Sequence, residues 1–146
     1  MAVTGLILIG FLLVHMYGNL KMFLGAESFD HYAEWLKGDI LYPLIPSGWF
    51  IWLFRAFMVA AILLHIYSAV TLWRRAVAAN PTAYAAKKKL AQTYSARTMR
   101  WGGVILLLFI VWHLLALTVG SVHQNFLAGK PYENLVASFS NPWVAA

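Results

Sequence analysis

The chain has 146 residues, 62% of them hydrophobic and only 11% charged, with a formal net charge of +6. A soluble domain is nearer one-quarter charged. Here the apolar residues come in long runs rather than amphipathic stripes, so the composition excludes an ordinary globular domain and points to an integral membrane protein. The absence of cysteine excludes a disulfide framework, a thiolate metal site, an iron–sulfur cluster and covalent c-type haem within this chain.

The first predicted span runs from about Ala2 to Leu24. About 20 residues at 1.5 Å each cover a 30 Å hydrocarbon core, so it is long enough to cross. It lacks the basic leader and short apolar core of a cleaved signal peptide. Residues 25–48 form a net acidic connection, with Glu27, Asp30, Glu34 and Asp39 against Lys37. Phe29, Tyr32, Trp35 and Leu36 recur at helical spacing, which predicts a short interfacial helix from about Ser28 to Leu36. Pro43, Pro46, Ser47 and Gly48 end the connection.

The second span is about Trp49 to Trp73, with Trp49, Trp52 and Trp73 placed for the aromatic belts. Arg74 and Arg75 are expected to stop it. A basic connection carries Lys87, Lys88, Lys89, Arg97 and Arg100. The third span is about Trp101 to Val122, followed by a nearly neutral polar stretch, 123–140. Seven of the eleven Lys and Arg residues lie between Trp73 and Trp101. This bias predicts orientation rather than nucleic-acid binding. The N-terminus and the 74–100 loop are placed inside, and the 25–48 and 123–140 loops outside. Asn141-Pro142 reads as an N-cap and a first helical position, the opening of a further helix. It is read as a fourth span just beginning, the alternative being an interfacial tail. The expected architecture is an all-α transmembrane bundle forming a single membrane domain over 1–146, the first three spans of a longer bundle.

Each span carries one histidine near mid-depth: His15, His65 and His113. No Asp or Glu accompanies them within the spans. An ionisable group inside a bilayer is costly and marks a functional site by default, and neutral imidazole is a good iron ligand. At 1.5 Å per residue, His65 lies about 13 Å from the inner edge at Arg74, and His113 about 19 Å from the inner edge at Arg100. His15 lies about 17 Å from the inner edge of a 30 Å core. His15 and His113 are therefore nearly level, and His65 sits lower. The residue three beyond each histidine is small (Gly18, Ser68, Ala116), which leaves room for a flat macrocycle or simply permits close helix packing.

Arg55 is the other intramembrane charge, placed either to snorkel outward or to pair with a haem propionate. Lys21 is read as a snorkelling anchor, and His31 and His123 as surface histidines. Arg97 and Arg100, with Tyr94 and Ser95, border the inner mouth and are candidates for a quinone pocket. The basic loop contacts lipid headgroups, and Lys87 to Lys89 could dock a cytoplasmic protein.

The stretches HMYGNLKMFLGAESFDHYAEWLK, LLHIYSAVTLWRRA and RWGGVILLLFIVWHLL resemble the cytochrome b membrane-anchor subunit of bacterial succinate dehydrogenases and fumarate reductases, of the di-haem, five-span type. The resemblance covers nearly the whole chain. It implies that His15 and His113 are axial ligands of the distal haem b, and that His65 gives one ligand to the proximal haem b. The partner of His65 would lie on the span that Asn141-Pro142 opens. The family has five spans and this chain three, so the last two are expected to be missing: it is a fragment, or the remainder is a separate chain, or it is a shortened member, in which case only one of the two haems b could be fully ligated.

The resemblance also implies residence in the bacterial cytoplasmic membrane, with iron–sulfur and flavoprotein subunits, lipid and a quinone, menaquinone, as partners. The chain would relay electrons between the iron–sulfur subunit and quinone without succinate chemistry of its own; it has no flavin or dinucleotide motif. The competing readings are a non-redox helical anchor or assembly subunit with packing histidines, and a small proton-conducting membrane protein.

Overall fold

The computed structural model describes residues 1–38, 40–79, 94–122 and 125–145. The architecture is all-α, and the described residues contain no strand. Among the described residues, three helical stretches are long and apolar enough to cross a membrane: Ala2–Leu24, Trp49–Ala78 and Thr98–Val119. By contact, the chain divides into two units, Met1–Thr82 and Ala83–Ala146.

In the first unit, α1 (Ala2–Leu20) contains no proline and no charge. Helix is the conformation that satisfies its backbone where no water can. A tight 3-10 turn, Lys21–Leu24, follows. Gly25 then takes φ +96, which a side chain would oppose, and turns the chain into α2 (Ala26–Gly38). Helix α2 is amphipathic and packs against α1 and α3 (Trp49–Ala78), with Phe29 buried.

Helices α1 and α3 run antiparallel: Thr4 meets His65 near the start of α1, and Phe11 meets Phe54 further along. Both carry their more buried residues at alternating steps of four and three. On α1 these are Thr4, Leu8, Phe11, His15 and Gly18. On α3 they are Phe54, Met58, Ala61, His65 and Ser68. Such spacing forms one stripe down each helix, and here the stripes face each other. Most other side chains on these helices are exposed, as expected of apolar surface that lipid or further helices cover.

In the second unit, α4 (Tyr94–His113) continues without a break into π-helical turns over Leu114–Val119. Gly120 ends them at φ +79, and the Phe126 ring occupies the place a side chain there would need. Helix α5 (Pro131–Phe139) starts on a proline at its first turn. Asn134 is buried and closes the loop before it: its amide donates to the Leu127 carbonyl (2.7 Å) and its oxygen accepts the Leu127 N–H (2.8 Å). Helix α6 (Pro142–Ala145) begins as the Asn-Pro pair predicts, with Asn141 Oδ1 accepting the Trp143 N–H at 3.0 Å.

Three expectations are corrected. Arg74 and Arg75 end the apolar run but not the helix, which continues to Ala78 because arginine is a good helix former. The α2 helix is longer than 28–36 at both ends. The 123–140 stretch is not all loop, since it contains α5, whose start was signalled by Pro131 with Glu133 in the first turn.

Candidate functional site

Each spanning helix carries one candidate histidine: His15 and His65 in the first unit, His113 in the second. His65 is half-buried on α3, and its Nδ1 lies 2.9 Å from Thr4 Oγ1 on α1. The Thr4 hydroxyl also lies 3.0 Å from the Met1 carbonyl, to which it donates. Its oxygen is then left to accept from Nδ1–H. That arrangement suits the tautomer protonated on Nδ1, which leaves the lone pair on Nε2. A hydrogen-bonded Nδ1 with Nε2 available is how a ligating imidazole is oriented toward a metal. Gly5 lies against the same ring: a Cβ there would stand 3.7 Å from His65 Cε1.

His15 has a different setting. It stacks on Phe11, one turn earlier on α1, with centroids 5.1 Å apart and planes 24° from parallel. Phe11 meets Phe54 at 5.9 Å, and Phe54 stacks on Phe50 at 5.9 Å. An aromatic ladder thus runs across the α1–α3 contact and ends on the imidazole. In the second unit His113 repeats the local arrangement, stacking on Phe109 at 5.6 Å and 25°. It is the last residue before the π-helical turns, a local widening that recurs at functional sites.

His15 and His65 do not share a level. His65 meets α1 at Thr4, and eleven residues from Thr4 to His15 rise about 16 Å. Two imidazoles on one iron need nitrogens about 4 Å apart, twice a metal–imidazole bond of about 2 Å. These two histidines are therefore too far apart to share one iron. The direction agrees with the depth ordering read from the spans.

Arg55 is half-buried, and its guanidinium lies 4.9 Å over the Trp52 ring. It follows Phe54 directly, so it stands at the level of the His15 ladder rather than of His65. Gly18 does not leave open space beside His15. The Tyr32 ring of α2 fills it, and a Cβ at Gly18 would come within 2.9 Å of Tyr32 Cε1. Ser68 donates back to the Leu64 carbonyl at 2.5 Å, and Ala116 is buried within the second unit.

Arg100 is exposed near the start of α4. Arg97 lies on the same helix, but its side chain, with those of Tyr94 and Ser95, lies outside the described residues, as do Asp39, Lys87 to Lys89 and His123. His31 is exposed on α2. Among the described residues no group of three or more His, Asp or Glu could hold a bare metal ion. An axially ligated macrocycle asks for only one or two protein ligands.

Sequence reasoning missed Thr4, Phe11 and Phe109. The phenylalanines were visible as a Phe four residues before His15 and before His113, a pattern His65 lacks because Ala61 stands there. Thr4 carried no local signal, since its partner is 61 residues away. No family model, curated protein or solved structure matches the chain.

Proposed function

We propose that this chain is a haem b-binding membrane anchor of a succinate:quinone oxidoreductase, relaying electrons between an iron–sulfur subunit and membrane quinone. The observation that carries the reading is one histidine on each spanning helix, with His65 held through Nδ1 so that Nε2 is presented. The donor chemistry fits haem: imidazoles within apolar spans that contain no competing carboxylates. Haem, when bound, supplies one-electron iron chemistry.

The chain's own residues do the positioning. Thr4 sets the tautomer of His65, while Phe11 and Phe109 brace His15 and His113. The shared Phe-to-His stacking supports assigning His15 and His113 as the axial pair of one haem and His65 as a ligand of another. Arg55, at the level of His15, is assigned to a propionate of the first. The basic 74–100 connection is placed on the cytoplasmic side, beside the iron–sulfur and flavoprotein subunits, and menaquinone is assigned as the electron partner. Arg97 and Arg100 stay candidates for its pocket.

The His65–Thr4 bond also favours a second reading, a non-redox helical anchor in which the bond only joins two helices. Haem content separates the two. With haem supplied, His15→Ala and His113→Ala should lose the same haem, and His65→Ala should retain that one. Unchanged haem content in all three variants would overturn the ligand assignment.

A further inference from the structure

Where α1 ends, the chain forms an open groove that the electron-transfer reading does not use. It lies between the 3-10 turn and α2 and is lined by Lys21, Glu27, Ser28, His31, Tyr32 and Trp35, with Leu24 at its edge. Its volume, about 590 Å³, is many times the roughly 10–15 Å³ that one water requires, so it has room for an organic group rather than a single ion. It also sits where the Ala2–Leu24 span ends, the level at which phospholipid headgroups lie.

The charges in the groove are balanced. Lys21 is half-buried and leans between two rings; its Nζ lies 5.8 Å from the Tyr17 ring centroid and 5.3 Å from that of Tyr32. Tyr32 is fixed in turn by the notch at Gly18, so the ammonium is held beside the groove by packing rather than by a carboxylate. Glu27, in the first turn of α2, supplies the opposite charge. Ser28, the Tyr32 hydroxyl and the Trp35 indole add hydrogen-bond donors, and the aromatic faces can receive a cation. An anionic headgroup would meet Lys21 but also Glu27. A headgroup with one phosphate and one ammonium answers both.

We propose that this groove binds the headgroup of a zwitterionic aminophospholipid such as phosphatidylethanolamine, with the phosphate on Lys21 and Ser28 and the ammonium on Glu27 against Trp35. The site does not depend on haem, so the two readings can fail separately.

The test is native mass spectrometry of the full chain released from micelles holding equal amounts of phosphatidylethanolamine and phosphatidylglycerol with matched acyl chains. Phosphatidylethanolamine should be retained in preference, on the order of five-fold. Lys21→Met and Glu27→Gln should each abolish that preference, while Lys37→Met, outside the groove, should keep it. Circular dichroism should show the same helix content in all three variants. A short-chain naphthoquinone added in excess should leave the retained lipid in place. Equal retention of the two lipids, a preference for phosphatidylglycerol, insensitivity to both groove substitutions, or displacement by the naphthoquinone would each overturn the assignment. The last would give the groove to quinone instead.

Discussion

Thr4 is the residue on which the geometry of His65 turns. Its hydroxyl donates to the Met1 carbonyl and so is placed to accept a hydrogen bond from Nδ1, 2.9 Å away. Thr4→Val keeps the shape and removes the acceptor, leaving a half-buried N–H unsatisfied. The expected cost is about 1 kcal/mol, in line with helix–helix hydrogen bonds in membranes. Unfolding of the protein in mixed micelles measures it, and Thr4→Ser should restore most of the loss. An unaltered unfolding midpoint for Thr4→Val would mean that the bond carries no energy.

Arg55 makes a second prediction at this scale. A positive charge favours the reduced, less positive iron, so Arg55→Leu should lower the midpoint potential of the haem assigned to His15. The shift should be on the order of 30 mV, since 59 mV is tenfold for one electron. Redox titration reads it directly. An unshifted potential would return Arg55 to its stacking on Trp52 alone.

At the scale of elements, the packing of α2 on α1 rests on the fit of Tyr32 to Gly18. Gly18→Val puts carbon where the ring lies, and the ring must move; overpacking of this kind costs about 1–3 kcal/mol. A lower unfolding temperature and a changed environment of the Tyr32 ring, read by NMR, are expected. Unchanged spectra would show that α2 is not seated there.

The elements were largely legible in advance, because a run of apolar residues without proline leaves helix as the solution in a bilayer, and the run length gives the span. Helix ends were less legible. Arg74 and Arg75 mark where the apolar run ends, while the backbone follows its own propensity to Ala78. The nine residues of α5 are too few and too mixed to show a clear period, so only Pro131 and Glu133 signalled it. The small residues beyond the histidines were visible, but their use was not. Gly18 serves Tyr32, a contact between two elements that no spacing along one helix can show. For the same reason His65 was found from its burial in an apolar run, while Thr4 was not.

At the scale of the whole molecule, the described residues contain three helices long and apolar enough to cross a membrane, and the charge bias of the sequence favours one orientation for them. The chain contains no cysteine, so single cysteines can be placed cleanly. Ser28→Cys should react with an impermeant maleimide in intact cells. Lys88→Cys should react only after the membrane is opened. The reverse pattern would invert the assigned topology.

Haem ligation by the histidines of the spans is tested by the reduced-minus-oxidised absorption spectrum of the purified protein, produced with haem supplied. The bands of low-spin, bis-imidazole haem b are expected from that ligation. A featureless difference spectrum from correctly inserted protein would contradict it and leave His15, His65 and His113 as residues of helix packing.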